Sequence, residues 1–403
     1  MIQTTDTIDS SGYPLAFKVR AGERLSAVLA GAPGRDAFRV EARAMGAHQK
    51  EALVTEGEGG TTWRVTSDEG PYLNGTDLAP FPLGFFNAAL QAELVQRLSA
   101  RAAAHDVRFD AVAIDLENRY AFEGSFHKGT GRGSAQPPEV RFTLRSSADA
   151  ERVARAVKEA VASSPLVAAL RVPLRNTFAL YVNGKRREVV STESSPAPDA
   201  PDPLKTHREP PRPLAASGPP DLIVKLPASA NGPAGGPMPA SASRVEIGIL
   251  GHGRLVAPAL AEHDTWLARP PGSRFRFRAA VGEAAAGAAP SGLALAAAGI
   301  AFCYLTQLLR YIEYLKYRVR AIRLVQLNPF ALNARGSVLV GEAGPVDTHL
   351  FLHGEEPDEV MQRLLAMGAN TCYLHASLGA ALAASVHATL NGAALPRAAL
   401  GPD

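Results

Sequence analysis

Cysteine is nearly absent from this chain of 403 residues: there are two, Cys303 and Cys372, and both fall in the second half. So few thiols exclude a disulfide-stapled scaffold. In a chain of this kind they read as free thiols or a redox pair rather than a structural bridge. An excess of charge of one sign is also missing, because the formal net charge is only +3. No basic stripe with interleaved aromatics occurs, so no nucleic-acid partner is expected. The opening MIQTTDTIDSSGYP has no basic stretch leading into an apolar core, which argues against secretion and for a cytoplasmic protein. Long apolar runs are scarce. The longest, Leu293 to Phe302 and onward, meets Cys303, Thr306, Gln307 and Arg310. A membrane span needs about 20 predominantly apolar residues, so a buried core helix is expected here and no membrane partner. With 46% hydrophobic residues the chain can build two cores of domain size.

What is present is a repeat. Ser164 opens SPLVAALRVPLRNTFALYVNG and Cys372 opens CYLHASLGAALAASVHATLNG, two stretches of equal length that both close on Asn-Gly, offset by 208 residues. The same offset carries Ile114-Asp115-Leu116 onto Ile322-Arg323-Leu324 and Ala150-Glu151 onto Asp358-Glu359. It also carries Arg141–Arg145 onto Thr348–Leu352 within one residue. A period this long is domain-sized, unlike the short periods of solenoids. The expected division is a first domain over 1–190, a linker over 191–240 and a second domain over 241–403. The linker is crowded with Pro, Ala, Ser and Gly, too little apolar surface to offset its ordering entropy; Leu222 to Leu226 could dock as a strand.

Each half has the same order of elements. In the first, strands at Phe38–Ala44 and Thr61–Thr66 precede a loop over Gly70–Leu83 and a helix from Phe85 to about Ala104. Strands at Ala111–Glu117 and Arg141–Leu144, a helix at Ala148–Ala162 and a strand at Phe178–Val182 follow. In the second, strands at Val245–Leu250 and Phe275–Ala280 precede a helix from Leu293 to about Leu315. Then come strands at Val319–Gln326, Gly336–Val340 and Asp347–Leu352, a helix from Pro357 to about Tyr373, and a strand at Ser385–Leu390. Strands and two helices interleaved without a strict βαβ rhythm predict an α+β class with antiparallel sheets. The long helix of each half is apolar nearly all round and so should be central.

The stretch Gly75–Tyr120, GTDLAPFPLGFFNAALQAELVQRLSARAAAHDVRFDAVAIDLENRY, resembles the OsmC/Ohr superfamily of osmotically inducible and organic hydroperoxide resistance proteins. The stretch FTLRSSADAERVARAVKEAVASSPLVAALRVPLRNTFALYV resembles that family's closing strand, helix, Cys-Pro turn and final strand, and the second half follows the same plan. The resemblance implies two OsmC-like domains in tandem, each an antiparallel sheet with a long central helix and a second helix, forming an intramolecular pseudo-dimer. It further implies a thiol-dependent peroxidase. Cys303, on the central helix, would attack a hydroperoxide, and Cys372, at the end of the later helix, would resolve the sulfenic acid. The implied partners are a small hydrophobic or peroxide substrate and a thiol reductant, with no cofactor and no metal.

The chain departs from that pattern in three places. The acid expected about ten residues before the first cysteine is missing, since Ser291-Gly292-Leu293-Ala294 stands there and Pro82-Leu83-Gly84-Phe85 in the first half. Cys372 is followed by Tyr373 rather than Pro. The first half has lost both thiols, with Ser164 in place of Cys372 and a position near Glu93 in place of Cys303, so it is expected to serve as a scaffold. The family's arginine comes from an N-terminal strand, which makes Arg39, Arg43, Arg276 and Arg278 candidates. His375, three residues after Cys372, is a candidate base or thiol activator. Gln307 and Arg310 follow Cys303 at i+4 and i+7 on one helical face, and Arg310 is a candidate cation for the site. His349 and His353 lack a third ligand in register, so no metal is expected there. Inert buried thiols, a nonredox protein holding an apolar small molecule, and hydrolase or lyase chemistry in the same pocket remain the alternatives.

Overall fold

In a computed structural model the described residues are 6–20, 36–57, 60–208, 211–214, 221–227, 244–282, 287–336 and 338–400. Much of the Pro- and Gly-rich stretch, 228–243 included, lies outside them. The chain begins with β1 (Ala16–Arg20), β2 (Asp36–Ala44), β3 (Lys50–Thr55) and β4 (Thr62–Ser67), then α1 (Pro82–Ala104). Next come β5 (Ala111–Glu123), β6 (Arg132–Ala135), β7 (Glu139–Arg145), α2 (Ala150–Ala162), α3 (Pro165–Arg171) and β8 (Thr177–Val182). Three short strands follow, β9 (Lys185–Arg187), β10 (Glu193–Ser194) and β11 (Ile223–Lys225). The second half runs β12 (Arg244–Ala257), β13 (Leu260–Arg269), β14 (Pro271–Ala280), α4 (Gly292–Leu315), β15 (Val319–Arg335), β16 (Val338–Ala343) and β17 (Asp347–Gly354). It closes with α5 (Asp358–Thr371), α6 (Tyr373–Gly379), β18 (Ser385–Leu390) and β19 (Ala393–Ala394).

This is a mixed α/β protein with two sheets, and the halves exchange strands to make them. One sheet runs β1-β4-β3-β2-β15-β17-β8-β10 and the other β11-β14-β13-β12-β5-β7-β18-β19. In each, the meander that precedes a long helix in one half pairs with two strands that follow the long helix in the other. The exchange is regular: Thr177 stands beside Asp347 in the first sheet, and Ser385 beside Glu139 in the second. One offset differs from the sequence reading. Val112 opposes Leu144 and Ile322 opposes Leu352, so Ile322 takes the place of Val112 rather than of Ile114.

Because of the exchange there are not two separate cores. α1 lies on the second sheet, α4 on the first, and the helices pack on each other. Phe85 of α1 sits 5.3 Å from Phe302 of α4 and 5.0 Å from Phe277 of β14, ring centre to ring centre. One large apolar cluster therefore spans both halves. Each fully buried Leu or Phe in it contributes roughly 1.5–3 kcal/mol. β5 shows how a strand is read into this layer: Val112, Ile114, Leu116, Asn118, Tyr120 and Phe122 face inward while the residues between them face out. The apolar helix α4 passes the length and hydropathy test for a membrane span, but every residue in the tested window is buried in protein.

The linker packs more than its composition suggests. From β10 onward it crosses the outer face of the first sheet. Ser195 donates to Asp347 at 2.9 Å, Asp202 accepts two hydrogen bonds from Arg323 at 2.6 and 2.9 Å, and Thr206 reaches Glu41 at 3.4 Å. Ion pairing and side-chain hydrogen bonds, with a small apolar contact of Ala200 against Tyr181, Val325 and Phe351, hold it there, and a composition argument does not see them. β11 then joins the edge of the second sheet, with Val224 opposite Arg276.

Candidate active site

α4 is a strong helix by composition, rich in Ala and Leu, with Ser291 as its N-cap accepting from the Ala294 amide at 3.2 Å. It carries Cys303 at its middle, on the stripe that continues through Thr306 and Gln307. These three line a narrow crevice together with Tyr373, Ile247 and a wall from the first half: Glu69, Tyr72, Leu73, Phe81, Pro82 and Leu83. The space there is about 20 Å³, room for roughly one water molecule.

Glu69 is the acidic group of the crevice. Its carboxylate accepts from Thr306 Oγ1 at 2.5 Å, from Tyr72 OH at 2.9 Å and from Lys50 Nζ at 3.2 Å. Lys50 is fully buried, so the pair is desolvated and each charge depends on the other. Burial, and next the neighbouring Glu69 charge, push the Tyr72 hydroxyl well above its ordinary range, which keeps it a donor. Glu69 was not legible in the sequence. It lies in the loop after β4, 237 residues from Thr306, and no local motif marks it.

The second thiol stands where α5 stops. Gly133 of β6 runs beside that junction, and a side chain there would come within 2.8 Å of the Thr371 carbonyl oxygen. The helix does not continue to Tyr373. Cys372 is extended at φ −70° and ψ 112° and serves as N-cap of the separate helix α6. His375 is thus the third residue of α6, and its Nδ1 lies 3.1 Å from Cys372 Sγ. Cys303 is a near neighbour of Cys372, close enough to act on its thiol, and both are free, buried thiols. Burial pushes the Cys372 thiol well above its ordinary value. The Cys303 sulfur adds to that rise, while the Leu374 and His375 amides oppose it. Burial holds His375 down to about 4, so it is neutral near pH 7.

Of the arginine candidates, Arg310 alone reaches this region. It donates to Gln307 Oε1 at 3.0 Å, and its charge acts on the Tyr373 hydroxyl. The other four lie on the outer faces of the sheets, each bound to carboxylates. Arg39 pairs with Glu41, Arg43 with Asp6 and Glu51, Arg276 with Asp264 and Glu262, and Arg278 with Glu262. None of them lines the crevice, because their strand positions point to the face opposite the helices. Glu93 is buried on α1 with Arg97 at 2.7 Å. Ser164 caps α3, accepting from the Val167 amide at 3.2 Å. His349 faces Tyr181 and Asp347, and His353 faces Asp202.

No family model matches the chain, and no curated protein does. A solved OsmC-like hydroperoxide resistance protein from Jannaschia sp. CCS1 is similar at 23% identity, over 36% of this chain and 95% of its own, with a TM-score of 0.25. A likeness of that size decides neither fold nor activity.

Proposed function

We propose that the chain is a thiol-dependent peroxidase of the OsmC-like kind, built from two such domains in tandem as an internal pseudo-dimer. The observation that carries the reading is the contact between Cys303 and Cys372 beside neutral His375. The Cys303 thiolate attacks the distal oxygen of a hydroperoxide. The O–O bond breaks, the alcohol leaves after taking up a proton, and the sulfur is oxidised to sulfenic acid. Cys372 then attacks that sulfur, its proton passing by way of His375 Nδ1, and water leaves as the disulfide forms. An external dithiol restores both thiols by exchange.

The narrow crevice suits a peroxide head group. An apolar ligand of drug size needs about 300–1,000 Å³, so the nonredox binding alternative is less well supported. Turnover of an alkyl hydroperoxide with a dithiol reductant is expected in the native chain and expected to vanish in Cys303→Ser. Undiminished turnover in that variant would remove the nucleophile assignment.

A further inference from the structure

The first half does more than complete the core, and one of its side chains bears on a cation near the thiols, Arg310. The turn that links β5 to β6 carries Phe126, closed by hydrogen bonds from Gly129 N to Phe126 O at 3.1 Å and from Thr130 N to Ser125 O at 3.1 Å. Phe126 stacks on Phe122 at 4.6 Å and packs against Tyr311 of α4 at 4.7 Å, ring centre to ring centre. The Arg310 guanidinium carbon lies 4.1 Å above the centre of its ring. At that distance the negative face of the ring attracts the cation, and the effect grows when water is excluded. Arg310 Nη1 donates to Gln307 and its charge acts on Tyr373, and both of these residues line the crevice beside Cys303. The charged and titratable groups around it are Tyr72, Tyr311 and Tyr373, with Glu69 and its partner Lys50 behind Tyr72 and Cys303 beside Tyr373.

We infer that Phe126 is a positioning residue: its ring holds the Arg310 guanidinium against Gln307 at the end of the crevice, so that a charge from the second half acts on Cys303 only while the first half keeps it in place. Without the ring, Arg310 has a long flexible stem and an open route toward solvent. The inference rests on Cys303 being the reactive thiol, but it needs no peroxide to test.

The experiment follows the alkylation rate of Cys303 by iodoacetamide across pH, read by peptide mass, in the native chain and in Phe126→Leu, Phe126→Met, Phe126→Tyr and Arg310→Gln. Leu and Met keep apolar bulk and lose the ring face; Tyr keeps it. The rate near neutral pH should fall about three- to tenfold in the Leu and Met variants, with the profile displaced to higher pH, on the scale of one cation–ring contact. Phe126→Tyr should restore the native profile, and Phe126→Leu should add nothing in the Arg310→Gln background. Native rates in both Phe126→Leu and Phe126→Met, or a further slowing on top of Arg310→Gln, would overturn the inference. Loss of peroxidase activity with an intact alkylation pattern would instead count against the proposed reaction alone.

Discussion

Two helix junctions in this molecule share a backbone plan and differ in chemistry. At Ser163-Ser164-Pro165 the chain leaves α2 and starts α3; at Thr371-Cys372-Tyr373 it leaves α5 and starts α6. Strand glycines run beside both, Gly341 at the first and Gly133 at the second, where a side chain would meet backbone atoms at 2.3 and 2.8 Å. Ser164 spends its hydroxyl on the cap, whereas the Cys372 sulfur faces a second sulfur and an imidazole. The asymmetry extends beyond the cysteines. Lys50 pairs with Ser67 across β3–β4 as Ala261 pairs with Ala279 across β13–β14. Continuing two residues, Glu69 matches Val281. The buried Lys50–Glu69 pair, which reaches the crevice beside Cys303, thus has buried apolar counterparts, Ala261 and Val281, in the second half. The two junctions share a backbone frame, and only one of them carries a thiol and an imidazole.

The sharpest way to break this comparison is to remove one partner of the ion pair. Glu69→Ala leaves the Lys50 charge buried and unpaired and should lower stability by about 3–5 kcal/mol, read from urea unfolding. Most of the loss should return when Lys50→Met is added, and Val281→Ala should cost less than Glu69→Ala. A smaller effect separates the junctions by pH. His375 is held at about 4, against an ordinary 6.5, so between these values the unfolded chain binds a proton that the folded chain does not. The folded state should thus lose stability as pH falls from 6.5 toward 4, by on the order of 1–3 kcal/mol from this group. His375→Gln should show a shallower loss in the same window. The smallest effect belongs to the structural end, where Ser164→Ala should cost about 1 kcal/mol and leave any peroxide turnover unchanged.

The element order was legible because apolar periodicity is local. The long helix of the second half, expected from Leu293, begins one residue earlier, at Gly292, and the first-half helix starts at Pro82, where a proline suits the first turn. β1, β3 and β13 were missed. β3 is buried on both faces yet reads Lys-Glu-Ala-Leu-Val-Thr, because Lys50 and Glu51 have ionic partners on other segments. The helix expected to run through Cys372 breaks there instead, and its periodicity carries no sign of the break. Cys303, Cys372, His375 and Arg310 could be named because residue type and spacing single them out. Glu69, Phe126 and the linker stretch from Ser195 to Thr206 could not, since their partners lie far away in the sequence.

Peptide mapping after exposure to one equivalent of an alkyl hydroperoxide tests the central claim most directly. The account predicts a disulfide joining Cys303 to Cys372 in the native chain, and a dimedone-trapped sulfenic acid on Cys303 in Cys372→Ser. Two unmodified thiols in the native chain, recovered quantitatively after unfolding, would contradict it.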